Sequence, residues 1–150
     1  MASEDVDIVA RWVQARVTPQ DWEHVQSVAR LAESDDERMA ALAHDIYEDG
    51  IVTEAELRAV APAHVADAVV ILARRPDETY TAYIERVASA DNPLASAVKI
   101  YDLMDHLMPR RSAHYRNEAR RAKRERYLWA LGEIHGEVVW QLDREQADGE

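Results

Sequence analysis

The sequence predicts an all-α protein, a single helical bundle of about eight helices. Only four glycines and five prolines interrupt its 150 residues, so long uninterrupted runs remain in which helices can form. Alanine, leucine, arginine and glutamate are abundant, and all four are good helix formers. Helix-capping patterns recur along the chain, whereas alternation of apolar and polar residues never lasts long enough to predict a strand.

Two kinds of local signal mark the helix starts: prolines in the first turn and S/T-x-x-E capping boxes. The residues are Thr18 with Pro19, Ser34 with Glu37, Thr53 with Glu56, Pro62, and Pro93. The predicted helices cover residues 4–16, 19–33, 35–48, 53–60, 62–73, 78–89, 93–108 and 112–142. No linker or internal repeat divides them, so we predict one domain over residues 1–142 and a flexible tail over 143–150.

The composition excludes several classes of function. The chain has no cysteine, which rules out thiolate catalysis, disulfides and zinc–cysteine sites. No window approaches the roughly 18 apolar residues that a membrane span needs. The N-terminus lacks the basic and apolar pattern of a signal peptide. We therefore expect a cytoplasmic protein with no membrane partner.

The charge is unevenly distributed along the chain. The net charge is −11, yet residues 110–126 carry eight Lys or Arg against two Glu. This asymmetry indicates a local anion-binding surface. The alternative is a solvated helix whose charges pair within the molecule. The overall negative charge argues against nucleic acid as the partner.

The stretch HDIYEDG concentrates four ionisable side chains on one helix face. At 100° per residue, that face lies opposite an apolar stripe, a pattern that most surface helices also show. Acidic groups at a helix C-terminus oppose the helix dipole and repel one another, and a bound cation would relieve both costs. The polar residues are His44, Asp45, Glu48 and Asp49.

Two other predicted helices offer further metal ligands. His24 lies on the flank of an apolar stripe, where a half-buried histidine with a hydrogen-bond partner is the alternative. Lys99, Asp102 and His106 share one flank of a later helix, where a weak surface ion pair between Lys99 and Asp102 is the alternative. The apolar stripe predicted for that helix consists of Ala97, Tyr101, Met104 and Met108.

In this order, the residues resemble the H…HD…D signature of HD-domain phosphohydrolases: His24, the His44-Asp45 pair, and Asp102. HDIYEDG, YTAYIERV and KIYDLMDHL are similar to segments of RelA/SpoT-type (p)ppGpp hydrolase domains and small single-domain alarmone hydrolases. The resemblance covers about residues 22 to 108. It implies an HD-like helical fold and hydrolysis of a small anionic nucleotide.

The resemblance also implies roles for individual residues. The implied ligands of one divalent metal, typically manganese (Mn2+), are His24, His44, Asp45 and Asp102. Glu48 and Asp49 are implied to position and activate the attacking water. Such a metal lowers the pKa of water and polarises a phosphoryl oxygen, and a nearby carboxylate can accept the proton.

The prediction of substrate-binding residues depends on weaker sequence patterns. Lys99 and His106 are candidate phosphate contacts, and Arg110 and Arg111 are placed to receive a polyphosphate if the basic segment folds back. The last motif departs from the family pattern, because Leu103 replaces its arginine and Asp105-His106 replaces its His-Asn pair. The family's guanine-contacting arginine segment has no clear counterpart.

Three hypotheses of function follow. The first is a metal-dependent phosphohydrolase that removes pyrophosphate from (p)ppGpp. The second is an HD-type nucleotidase or phosphodiesterase that acts on another small phosphoester. The third is a non-catalytic helical module that binds anionic partners through residues 110–126. The sequence does not identify the natural metal. It also leaves open whether the chain forms a homodimer.

Overall fold

The computed structural model describes residues 3–108 and 118–148. All regular structure in these two ranges is α-helical, which confirms the predicted all-α class and the number of helices. The helices are α1 (Glu4–Gln14), α2 (Pro19–Ala29), α3 (Asp35–Glu48), α4 (Glu54–Val60), α5 (Ala63–Leu72), α6 (Tyr80–Ser89), α7 (Pro93–His106) and α8 (Glu118–Asp148).

The predicted helix starts are correct to within two residues for α1 to α7, because local caps set them. The Thr18 hydroxyl accepts the backbone N–H of Asp21 at the start of α2. Ser34 caps α3 through the N–H of Glu37. At α4 the Thr53 and Glu56 side chains accept each other's backbone N–H, a complete capping box,.

Two predicted helix ends are wrong. Helix α2 stops at Ala29 rather than at residue 33, because the chain must become extended at Ser34 (φ −137°, ψ 164°) to cap α3. Helix α8 reaches Asp148, six residues beyond the predicted end and into the predicted tail. The sequence DREQAD at 143–148 contains no glycine or proline to stop it,.

Helix α3 is the central element of the bundle and contacts α1, α2, α5 and α7. Three alanines let these helices approach closely, and larger side chains fill the space between them. The buried side chains of α3 are Met39, Ala40, Ala41, Leu42, Ala43, His44 and Ile46. Its burial on several sides places His44 in the interior, whereas Glu48 and Asp49 reach the surface.

The end of α3 is fixed by a Schellman motif. Gly50 adopts a left-handed conformation (φ 73°), and its N–H donates to the carbonyl of Tyr47 at 3.1 Å. The N–H of Ile51 donates to the carbonyl of Ile46 at 3.0 Å. A left-handed residue favours glycine, so this turn ends the helix immediately after the acidic pair of HDIYEDG.

The apolar stripe predicted for α7 is wrong. Met104 is 38% exposed, whereas Leu103, Asp102 and Asp105 are buried. Helix α7 contacts α2, α3, α5, α6 and α8, so it buries more than the single face that a surface helix would. Two of its carboxylates therefore point into the bundle.

None of the described helices is both long enough and apolar enough to cross a membrane.

A pair of isoleucines on either side of the α3 terminus tests this packing. Ile46 is fully buried and Ile51 is 46% exposed. Ile46→Ala should lower the free energy of unfolding by about 2–5 kcal/mol, because it leaves a cavity in the core. Ile51→Ala should change it by less than about 1 kcal/mol. Urea denaturation measures both, and equal losses would contradict the central position of α3.

Candidate metal centre

The four predicted metal ligands meet where α2, α3 and α7 pack together. His24 Nε2 lies 3.3 Å from Asp45 Oδ2 and 3.4 Å from Asp102 Oδ1. His44 Nε2 lies 3.1 Å from Asp45 Oδ1 and 3.7 Å from Asp102 Oδ1. Residues from three helices, up to 78 positions apart in the sequence, thus share one cluster.

His44 presents a nitrogen that the protein leaves without a hydrogen bond. Its Nδ1 is bonded to the backbone carbonyl of Ala41, one turn earlier in α3. Because a carbonyl only accepts, Nδ1 carries the proton, and the neutral ring has a lone pair on Nε2. That Nε2 is buried and makes no hydrogen bond, although Asp45 Oδ1 lies 3.1 Å away. A buried lone pair facing carboxylates is suited to a cation.

Asp105 orients the second imidazole, a role that the sequence analysis did not predict. Its Oδ2 lies 3.2 Å from His24 Nδ1, and its side chain is 1% exposed. A carboxylate that accepts the Nδ1 proton leaves Nε2 as the lone-pair nitrogen and raises its basicity. Asp105 follows Asp102 by three residues on α7. That spacing was the signal in the sequence from which the role of Asp105 could have been predicted.

The donor set fits one divalent ion. One ligand atom each from His24, His44 and Asp102 lie within 4.8 Å of one another. Asp45 is outside that group, but its two oxygens contact both imidazoles. Bonds of about 2.1 Å place neighbouring ligands of one ion about 3 Å apart, close to the spacings observed. Two imidazoles and two carboxylates suit Mn2+, Fe2+, Co2+ or Zn2+.

In the metal-free chain, bound protons and Lys99 supply the positive charge that a divalent ion would otherwise bring to the cluster. Burial by itself lowers the pKa of His24, but hydrogen bonds to Asp102 and Asp45 outweigh it and raise that pKa to about 9. Burial would raise the pKa of Asp102, but Lys99 and three histidines hold it well below its usual range. The cluster therefore requires positive charge to remain ionised in the interior.

Three of the four predicted ligands, His24, Asp45 and Asp102, line a pocket of about 310 Å³. Glu48 and Asp49 lie at its rim, and the backbone N–H of Arg74 donates to Glu48 Oε2 at 2.8 Å. Loss of hydration raises the pKa of both carboxyl groups above their usual values, and the charge of Asp45 adds to this effect. A carboxylate with a raised pKa is a stronger base at neutral pH.

Of the predicted substrate contacts, two lie in this pocket. Lys99 Nζ is 2.9 Å from Asp102 Oδ2, with side chains 12% and 8% exposed, so the ion pair is buried and not a surface pair. His106 Nε2 is 3.4 Å from Asp102 Oδ1, and its ring stacks on Tyr127 at 4.9 Å. Arg110 and Arg111 fall in 109–117, outside the described residues.

Tyrosines of α6 and α8 and Arg74 from the loop after α5 also line the pocket, and two cationic side chains of α8 lie against these tyrosines. Arg126 lies 5.0 Å from the centre of the Tyr80 ring, and Lys123 lies 5.9 Å from that of Tyr127. The Tyr80 hydroxyl is buried without a hydrogen-bond partner. Arg74 also approaches the Tyr80 ring. Lys123 and Arg126 belong to the basic segment 110–126 and Tyr80 begins YTAYIERV, but only the packing of distant helices brings these residues together at the pocket.

A larger cavity of about 420 Å³ lies elsewhere, between the start of α3 and the start of α7. Its ionisable groups are well hydrated. His64 Nε2 pairs with Asp36 Oδ2 at 2.9 Å, but the two side chains are 61% and 48% exposed. Exposed pairs of this kind contribute little binding energy, so the smaller pocket is the candidate site.

No family model matches the chain, and no curated protein matches it. The resemblance to HD-domain phosphohydrolases therefore stays a prediction, and function is argued from the site itself.

Substitution of Asp105 tests its orienting role. Asp105→Asn removes the charge that fixes the His24 tautomer, so the affinity for Mn2+ should fall by about 10- to 100-fold. Isothermal titration calorimetry measures this affinity. Asp67→Asn removes a carboxylate that is 57% exposed, and it should leave the affinity unchanged. Equal affinities for wild type and Asp105→Asn, with unchanged far-UV circular dichroism, would contradict the assignment.

The stability of the metal-free chain should fall as the pH rises from about 6.5 to about 9. The pKa of His24 is raised from 6.5 to about 9, so the folded state binds this proton more tightly than the unfolded chain does. That stabilisation is complete below pH 6.5 and is lost as the pH rises through 9. Urea denaturation in the presence of a chelator measures it, and His24→Asn should make the slope shallower. A flat profile would contradict the ion-paired cluster.

Proposed function

We propose that the chain is a divalent-metal-dependent phosphohydrolase that acts on a nucleotide, with removal of pyrophosphate from (p)ppGpp as its specific reaction. The observation that carries the proposal is the buried, unbonded Nε2 of His44 facing Asp45 and Asp102. The two carboxylates at the pocket rim provide candidate bases next to that cluster.

A metal at this position has four candidate ligands: His24, His44, Asp45 and Asp102. When bound, the ion supplies Lewis acidity, which makes water easier to deprotonate and polarises a phosphoryl oxygen. Mn2+ is our preferred ion because imidazole and carboxylate ligands suit it. Asp105 and the carbonyl of Ala41 hold the imidazoles in the orientation that this binding needs.

Glu48 and Asp49 handle the proton in this proposal. Attack of water on phosphorus forms one P–O bond and breaks the bond to the leaving oxygen. The water gives its proton to Glu48 or Asp49, whose raised pKa values suit a base at neutral pH,. The leaving oxygen takes up a proton when the bond breaks.

The pocket charge explains why an anionic substrate needs the metal. Five carboxylates surround the site against two permanent cations, and a phosphate would be repelled without further positive charge. Lys123 and Arg126, which lie against the rings of Tyr127 and Tyr80, add two cationic groups beside the pocket, which supports an anionic substrate. The carboxylates are Asp45, Glu48, Asp49, Asp102 and Asp105, and the two cations at the pocket are Lys99 and Arg74.

A second candidate keeps the metal and changes the substrate to a nucleoside monophosphate or another small phosphoester. Leu103 favours it, because the position at which the resembled family carries arginine is fully buried here. A cationic contact with the substrate from this position is therefore lost, and the separate arginine segment that contacts guanine in the resembled family has no clear counterpart in this sequence. Release of phosphate rather than pyrophosphate from a substrate panel would support this candidate. The non-catalytic module remains a prediction that no described contact favours.

Hydrolysis of ppGpp by manganese-loaded protein tests the proposal. Wild type should release pyrophosphate, and Glu48→Gln should lower kcat by about 100-fold or more, because the base is lost. Glu85→Gln, on the exposed face of α6, should retain full activity. Manganese content should be equal in all three proteins.

Two outcomes would contradict the proposal at different levels. Full manganese occupancy without pyrophosphate release would overturn the ppGpp reaction. Absence of hydrolysis across nucleotides and simple phosphoesters would overturn the phosphohydrolase class.

A further inference from the structure

Helix α8 carries an exposed apolar surface that the described residues of the bundle leave uncovered. Leu128 and Val139 are each 43% exposed, and Trp129 is 38% exposed. These are three of the six large hydrophobic residues that are exposed in the described part of the chain. On the same helix, Ala130 and Ile134 are fully buried against the bundle. The helix therefore has one apolar side facing inward and another facing solvent.

The exposed residues share one face, which we call the outer face of α8. At 100° per residue, they span an arc of about 100° from Leu128 to Trp129, whereas Ala130 and Ile134 lie about 100–140° beyond it. Apolar residues grouped in this way on a helix mark a surface for contact with another helix. The outer face consists of Leu128, Trp129, Gly132, Gly136 and Val139.

Two glycines leave the middle of the outer face open. A Cβ atom added to Gly132 or Gly136 would meet nothing within 4 Å, so neither glycine is needed for packing within the described chain. Glycine in the middle of a helix costs about 1 kcal/mol relative to alanine. A close approach of another backbone is the physical role that glycine at such positions can serve.

The charge along α8 selects the orientation of a partner helix. Residues 118–126 carry five Lys or Arg against two Glu, and two of these cations, Lys123 and Arg126, lie against the pocket tyrosines. Residues 133–148 carry five Asp or Glu against one Arg. A second α8 placed antiparallel sets each basic half against an acidic half. A parallel arrangement sets like charges together, which is unfavourable.

We propose that two copies of this chain associate through antiparallel α8 helices that meet along their outer faces. The two-fold axis passes near residues 133 and 134, midway between Leu128 and Val139. Leu128 then opposes the partner's Val139, and Val139 opposes the partner's Leu128, as a two-fold interface requires. The glycines lie next to the axis, where the two backbones come closest.

Engineered disulfides test the orientation, because the chain contains no cysteine of its own. In the antiparallel pair, the double variant Leu128→Cys/Val139→Cys should form a covalent dimer on oxidation. Each single variant should stay non-covalent, since its two thiols are about 16 Å apart along the helix and a disulfide needs Cα atoms within about 7 Å. Efficient cross-linking of the single variants, or none of the double variant, would overturn the antiparallel arrangement.

Analytical ultracentrifugation tests the association itself. Wild type should be dimeric, with a dissociation constant that rises with salt, and Leu128→Asp should weaken association by at least about 10-fold. Ile8→Asp changes an apolar side chain of similar exposure (42%) on α1 and should leave association unchanged.

In Leu128→Asp, circular dichroism and manganese content should both be unchanged. This result would show that the fold and the metal centre are intact. A monomeric wild type, or equal dimerisation of Leu128→Asp, would overturn the proposal without affecting the proposed function. Absence of hydrolysis in a wild-type protein that is fully dimeric would overturn the proposed function without affecting the dimer proposal.

Discussion

The contact between two imidazoles and two carboxylates at the junction of α2, α3 and α7 is the constraint on which the site depends. His24 and His44 each use Nδ1 to bond within the protein, to Asp105 and to the carbonyl of Ala41. Both Nε2 atoms are therefore directed at Asp45 and Asp102. Carboxylates buried to this extent are costly unless positive charge accompanies them. Protons and Lys99 supply it in the metal-free chain, and a divalent ion can supply it with better geometry.

The packing of α3 connects that cluster with the pocket rim. Alanines at 40, 41 and 43 allow close contact with its neighbouring helices, which brings His44 into the interior. The Schellman motif at Gly50 then ends the helix, so that Glu48 and Asp49 stand at the rim rather than in a longer helix. Two of the four candidate ligands, His44 and Asp45, are thus placed by the same element as the candidate bases, and each lies four residues before one of them.

The parts of the fold and site that could be predicted are those that depend on local interactions or on a recognisable motif. Helix starts at Thr18, Ser34 and Thr53 depend on bonds within three residues, and they were predicted correctly. The motif also identified the residues that the structure brings together as a cluster. The buried face of α7 and the end of α2 were predicted wrongly, because both depend on neighbouring elements. Asp105 and Tyr80 lie in motifs that the sequence analysis named, but their roles and that of Tyr127 were missed for the same reason, since these roles arise only when α7, α6 and α8 pack around the pocket.

Metal content measured on purified protein tests the central claim most directly. After dialysis against Mn2+, wild type should contain one divalent ion per chain by inductively coupled plasma mass spectrometry. His44→Ala should contain almost none, because it removes the buried Nε2 ligand. His64→Ala, a histidine on the surface with its side chain 61% exposed, should retain the ion. A wild-type protein that binds no divalent ion, or a His44→Ala variant that binds it equally well, would contradict the account.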